Sequence, residues 1–71
     1  MISDDSDLKK LSAGEMMRII RKRKGISQLQ LASSLKSYQA RISRFELMTA
    51  IPTVKEQLLI EKVLNIKIWS K

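Results

Sequence analysis

Residues 27–46, SQLQLASSLKSYQARISRFE, contain two short helical patterns separated by a tight break. Helical spacing gives the first pattern an apolar stripe at Leu31, Ala32 and Leu35. The second pattern covers about 38–47 and has its apolar face at Ile42 and Phe45. Because Ala32 is small, the second helix can cross closely over the first. Two short helices joined in this way form a helix-turn-helix unit, which decides the fold.

The second helix of this unit has an outward-facing side opposite its apolar face. An α-helix turns by about 100° per residue, so four side chains point away from that face: Ala40, Ser43, Arg44 and Leu47. A helix in the DNA major groove contacts bases from its exposed N-terminal side, where Gln39 projects. We predict base contacts from Gln39, Ala40, Ser43 and Arg44. Arg44 suits guanine, Gln39 suits adenine, and Ala40 suits the methyl group of thymine.

The charge of the chain favours a polyanionic partner. Lys and Arg number 14 against 7 Asp and Glu, and three of the acids precede Leu8, where no Lys or Arg stands. The charge from Leu8 onward is therefore 14 − 4 = +10. Double-stranded DNA and an anionic membrane surface are the partners that such a charge favours, and simple solubility is the alternative. The Gln and Ser residues on the helix faces favour DNA, and we predict no membrane partner.

Several further side chains are candidates for contacts with DNA phosphates, which position a protein without identifying bases. The candidates that the sequence itself offers are Lys36, Ser37, Tyr38, Arg41 and Lys55. For Arg41 and Lys55, a solvated surface position is an equally good interpretation.

Length and composition exclude several classes of protein. A chain of 71 residues forms one domain with a marginal core, and without Cys it has no disulfide to stabilise it. Oligomerisation remains, so we expect a homodimer. The chain has no His, no nucleophile paired with a base and no phosphate-binding glycine loop, and we predict no enzyme activity, no cofactor and no metal. With no apolar stretch of about 20 residues and an acidic N-terminus, a cytoplasmic protein of a bacterium, phage or plasmid is expected.

Three capping boxes predict where helices begin. Ser or Thr is followed three residues later by Glu or Gln at Ser12, Ser27 and Thr53. These boxes predict helices over 13–24, 28–35 and 54–64, with Gly25 ending the first. The all-α domain then covers 11–64, after a flexible acidic tail at 1–10.

Residues 65–71 show a different pattern. Their alternation of β-branched and polar residues predicts a short strand, although continuation or fraying of the last helix is the alternative. A single strand would need another chain to pair its backbone groups, so we predict an antiparallel ribbon across a two-fold axis. Its residues are Ile66, Lys67, Ile68 and Trp69.

Met17 to Leu64 resembles the Cro and Xre helix-turn-helix family. The match consists of I-S-Q-x-x-L-A-x-x-L from Ile26, I-S-R-F-E from Ile42, and a Pro six residues after the Glu. The resemblance implies a lambda-repressor-like bundle of four helices. It also implies that Ser27 and Gln28 meet a DNA phosphate, that Gln39, Ala40 and Arg44 face bases, and that Arg21 forms a salt bridge with Glu46. Two unrelated exposed charges are the alternative for that last pair.

Three departures from the family pattern concern the turns. Lys36 and Met48 stand where the family often has Gly, and a side chain in such a turn brings strain unless the turn changes. Ser37 and Tyr38 replace the usual small apolar and capping residues, so we expect Ser37 to cap the recognition helix one residue early.

The predicted C-terminal strand resembles that of the HipB antitoxins, whose subunits pair by such strands. Two functions follow from these resemblances. The first is a sequence-specific dimeric repressor that binds a palindromic operator through helix 38–47. The alternative is an antitoxin that binds a toxin protein and autoregulates its operon.

Overall fold

A computed structural model describes residues 11–70, and these residues form four α-helices and no strand. The helices are α1 Ala13–Arg23, α2 Gln28–Ser34, α3 Gln39–Glu46 and α4 Val54–Leu64. The predicted all-α class with a lambda-repressor-like arrangement is confirmed, and the predicted helix ends differ from these bounds by at most one residue. The predicted tail at 1–10 lies outside the described residues.

Capping boxes start three of these helices. At α1, the hydroxyl of Ser12 accepts the backbone N–H of Glu15 at 3.2 Å, and the Glu15 carboxylate accepts the N–H of Ser12 at 3.1 Å. The same reciprocal bonds begin α2 and α4, from Ser27 with Gln30 and from Thr53 with Glu56. Each box satisfies two backbone donors that a helix N-terminus leaves free, which fixes the three starts that the sequence predicts.

The turn between α2 and α3 first completes the C-terminal cap of α2, and α3 begins after it. The backbone N–H groups of Lys36 and Ser37 bond to the carbonyls of Ser33 and Ala32, which closes α2 in a Schellman motif with Lys36 at φ +56°. Ser37 therefore belongs to the end of α2, and the expectation that it caps α3 early is wrong. Tyr38 is the N-cap of α3, and its side chain makes no capping bond.

The hydrophobic core lies where all four helices meet. It contains the five apolar residues of the helix-turn-helix unit that the sequence places inside, together with residues of α1 and α4. Its members are Met17, Ile20, Leu31, Ala32, Leu35, Ile42, Phe45, Ile60 and Leu64. Burial of this kind, at roughly 1.5–3 kcal/mol for a large apolar side chain, holds α3 against the other helices.

Gly14 allows α1 to approach the end of α3 closely. A Cβ atom on Gly14 would lie 2.5 Å from the backbone carbonyl oxygens of both Phe45 and Glu46. Real Cβ atoms do not come that near to a carbonyl oxygen, so a side chain at this position would force the two helices apart.

The predicted C-terminal strand at Ile66, Lys67, Ile68 and Trp69 is wrong, because residues 65–70 form turns and bends. The carboxylate of Glu61 accepts the backbone N–H groups of Ile68, Trp69 and Ser70, each at 2.8 Å. Donors that a strand would offer to a second chain are thus satisfied within the first. The apolar side chains of this segment pack against the core from outside.

None of the four helices combines the length and the apolar character that crossing a membrane requires.

Candidate nucleic-acid interface

α3 presents a buried face and a solvent face in the arrangement that its spacing predicts. Ile42 and Phe45 are buried at 0% and 1% exposure. On the opposite side, Ala40 and Arg44 are exposed and Ser43 is half-buried at the edge, and Gln39 is exposed at the N-terminal end of the helix. The four predicted base-contacting side chains therefore occupy one accessible surface, which we call the α3 outer face.

The predicted phosphate-contacting residues come from four parts of the chain at and around α3. They come from the start of α2, the turn before α3, α3 itself and the start of α4. Ser27, Lys36, Tyr38 and Lys55 are exposed, whereas Gln28, Ser37 and Arg41 are half-buried. All seven are within reach of solvent, but three of them, Ser27, Gln28 and Arg41, have their side chains bonded within the chain.

The salt bridge between Arg21 and Glu46 is present, and it fastens α1 to the end of α3. Nε of Arg21 lies 2.7 Å from Oε2 of Glu46, and Nη2 donates to Oε1 at 3.2 Å. Nη1 donates to the carbonyl oxygen of Ile26 at 2.8 Å. With side-chain exposures of 7% and 3%, the two charges are removed from water together, so removing either partner would leave a buried unpaired charge.

A chain of amide side chains continues from this pair to the start of α3. Nε2 of Gln28 donates to Glu46 at 3.1 Å, and Nε2 of Gln39 donates to Oε1 of Gln28 at 3.2 Å. Gln39 remains exposed while one end of its amide is held. A side chain oriented before it meets its ligand loses less conformational entropy on binding.

Arg41 is bound to α4 instead of projecting into solvent. Its guanidinium forms two parallel bonds with the carboxylate of Glu56, at 2.7 and 2.8 Å, and lies 4.9 Å from the centre of the Phe45 ring. Hydrogen bonding from Arg41 lowers the pKa of the Glu56 carboxyl from 4.5 to about 2. The predicted phosphate contact of Arg41 therefore requires this ion pair to open.

Two residues beside the α3 outer face were not predicted as site residues. Arg18 on α1 and Leu47 at the end of α3 are exposed, and both line a groove of about 580 Å³. The groove residues are Ser12, Glu15, Arg18, Gln28, Ser43, Glu46, Leu47 and Met48. Arg18 precedes Arg21 by three residues, so helical spacing places both side chains on one side of α1. This spacing could have identified Arg18 as a residue near α3.

Comparison with known proteins agrees with this geometry. The family model described as helix-turn-helix matches residues 17–68. Among solved structures, the chain is similar to the P22 c2 repressor protein, solved in complex with synthetic operator 9T in the presence of Tl⁺. The two chains are 26% identical with a TM-score of 0.77, over 82% of this chain and 88% of that one. No curated protein matches the sequence. The chain belongs to the helix-turn-helix family of Cro and Xre type.

Proposed function

We propose that the protein is a DNA-binding transcriptional regulator that places α3 in the major groove. The observation that carries this proposal is the α3 outer face, where Ala40 and Arg44 are exposed opposite the buried Ile42 and Phe45 and Gln39 is exposed at the N-terminal end. These side chains have the donors, acceptors and methyl group that match base edges in the major groove. The similarity to a repressor solved with its operator supports the same interpretation.

The net charge supports binding to the phosphate backbone. Residues 11–70 contain 11 Lys and Arg against 4 Glu, which gives 11 − 4 = +7. Lys36, in the turn before α3, and Lys55, at the start of α4, are exposed and would hold phosphates there. Because each neutralised phosphate releases a counterion, binding should weaken steeply as the salt concentration rises.

We propose further that two copies bind a palindromic operator as a repressor. Without the C-terminal strand, the surface that suits a second copy is an apolar patch formed by Ile51, just before α4, and by Val54 and Leu58 on α4. These side chains are 81%, 70% and 56% exposed, and Val54 and Leu58 lie one helical turn apart. Burying them against the same patch of a second copy would add to a core that is small for one chain.

The antitoxin alternative has less support than the repressor. Its resemblance depended on a C-terminal strand, and residues 65–70 form none. We therefore retain the repressor as the proposal, without catalytic activity, since a chain free of His and Cys lacks the usual catalytic bases and nucleophiles.

Selection of bound duplexes from a random pool tests the DNA-binding proposal. We expect an inverted repeat whose half-site centres lie about 34 Å apart, the spacing of one helical turn. Enrichment of no sequence, with equal binding to all duplexes, would contradict sequence-specific regulation.

Sedimentation of Leu58→Asp tests the dimer. We expect the charged variant to be monomeric at concentrations where the wild type is dimeric. Leu29→Asp is the matched control, because Leu29 is equally apolar and 63% exposed but lies on α2. Dimerisation that survives Leu58→Asp and fails in Leu29→Asp would place the interface elsewhere.

A further inference from the structure

We propose that Glu56 withholds Arg41 from the DNA backbone and so limits the number of phosphate contacts along one edge of α3. This inference rests on the proposed function, because it concerns how firmly the same surface binds DNA. It assigns a role to an acidic residue of α4 that faces the recognition helix.

The first support is the geometry of the ion pair. Both oxygens of Glu56 accept from Arg41, Oε2 from Nε at 2.7 Å and Oε1 from Nη2 at 2.8 Å. A guanidinium binds a phosphate through the same pair of parallel N–H groups. The carboxylate and a phosphate would therefore compete for the same N–H groups of Arg41, which cannot bind both at once.

The second support is the position of the pair beside other candidates for phosphate contacts. Arg41 lies three residues after Tyr38 and near it, and Glu56 follows the exposed Lys55. Lys36, Tyr38 and Lys55 are themselves candidates for phosphate contacts. Glu56 is thus a carboxylate beside residues that we expect to contact DNA phosphates.

The third support is that the pair is accessible enough to exchange partners. The side chains of Arg41 and Glu56 are 31% and 17% exposed, in contrast to 7% and 3% for Arg21 and Glu46. A phosphate could therefore reach the guanidinium of Arg41 once the charge of Glu56 is removed. The buried Arg21–Glu46 pair is a fixed structural element by comparison.

Glu56→Gln removes the charge while preserving the start of α4. Glu56 also closes the capping box with Thr53, and Gln serves in that position as well as Glu does. The chain itself contains such a box, since Gln30 accepts the N–H of Ser27 at 2.7 Å. The variant therefore separates the ion pair from the cap.

The experiment measures affinity for a random-sequence duplex between 50 and 200 mM salt. We expect Glu56→Gln to bind more tightly than wild type at 50 mM salt. The slope of log K against log salt should also be steeper, by about 0.9 per protomer, because one more phosphate is neutralised. With this steeper slope, the gain in affinity over wild type should shrink about threefold per protomer between 50 and 200 mM salt. An unchanged slope would overturn the inference.

Two controls distinguish release of Arg41 from a general change in charge. Arg41→Ala should weaken binding more in the Glu56→Gln background than in the wild type, because only there is Arg41 free to hold a phosphate. Glu15→Gln makes the same charge change at another capping box. If the gain of Glu56→Gln survives Arg41→Ala, or if Glu15→Gln reproduces its slope, Arg41 is not the released group. Failure of the wild type to bind any duplex would instead contradict the proposed function itself.

Discussion

Residues with positive φ end all four helices, and only one of them is glycine. Gly25, Lys36, Met48 and Asn65 have φ between 55° and 70°. The sequence shows that Lys36 and Met48 replace glycines of the family pattern, but not whether the turns change. The structure keeps the left-handed turns and accepts the side chains, because the Schellman bonds and the packing of α2 against α3 outweigh a cost of about 1–2 kcal/mol per residue.

At the residue scale, Lys36→Gly should separate stability from DNA binding. We expect the free energy of unfolding to stay equal or to rise by up to about 1 kcal/mol. Glycine adopts φ +56° without strain, but it also raises the conformational entropy of the unfolded chain, which offsets part of the gain. Loss of a phosphate contact should at the same time reduce the salt slope of DNA binding by about 0.9 per protomer. Urea unfolding and salt-dependent binding measure the two effects.

Gly25→Ala calibrates that experiment. Gly25 has φ +70° and open space around its Cα, so the substitution reports the backbone cost alone, about 1 kcal/mol of lost stability. Clear destabilisation by Lys36→Gly would show that the Lys36 side chain holds the turn together.

The elements differ in how well their sequence predicts them. Capping boxes are local, with both partners three residues apart, and the three predicted at Ser12, Ser27 and Thr53 begin helices. The C-terminal segment is governed by Glu61, which lies seven to nine residues away from its partners on another element. Alternating apolar residues from Ile66 to Trp69 fit a strand, and they equally fit a turn whose apolar side chains cover the core.

At the scale of the element, acid should release the C-terminal segment from Glu61. Hydrogen bonds led by the Ser70 N–H lower the pKa of the Glu61 carboxyl from 4.5 to about 2. A carboxyl with a lowered folded pKa stabilises the fold above its unfolded pKa, and this stabilisation is lost as pH falls from about 4.5 to about 2. Trp69 is the only Trp of the chain, so its fluorescence should change across that window.

Glu61→Gln is the comparison for the acid experiment. The neutral amide should give the low-pH fluorescence already at neutral pH, with no further step in that window. A wild-type signal that is constant down to pH 2, or a variant that titrates like wild type, would exclude control of the segment by Glu61.

The contact between α1 and α3 is also tested at this scale. Gly14→Ala would favour the helix by about 1 kcal/mol in an open site. Here its Cβ would meet backbone oxygens at 2.5 Å, so we expect a net loss of roughly 1–3 kcal/mol in thermal unfolding. A stabilised variant would mean that the two helices are not in close contact.

For the whole molecule, the sequence predicts which faces of a helix are exposed better than it predicts which side chains form ion pairs. The period of α3 correctly separates its core face from its outer face, because both faces belong to one helix. Arg41 appears as a free cation in the sequence, since its partner Glu56 lies 15 residues away and meets it only after α4 has packed. The Arg21–Glu46 pair, 25 residues apart, could be inferred only from the family resemblance.

Comparison of wild type and Arg44→Ala on two duplexes tests the central claim, that the α3 outer face identifies bases. One duplex carries the sequence that the wild type selects from a random pool, and the other is random, with equal length and salt. We predict a loss of about 5- to 150-fold per protomer on the selected duplex, the effect of one bidentate base contact in each half-site, and a much smaller loss on the random one. An equal loss on both duplexes would show that Arg44 holds only phosphate, which contradicts the account.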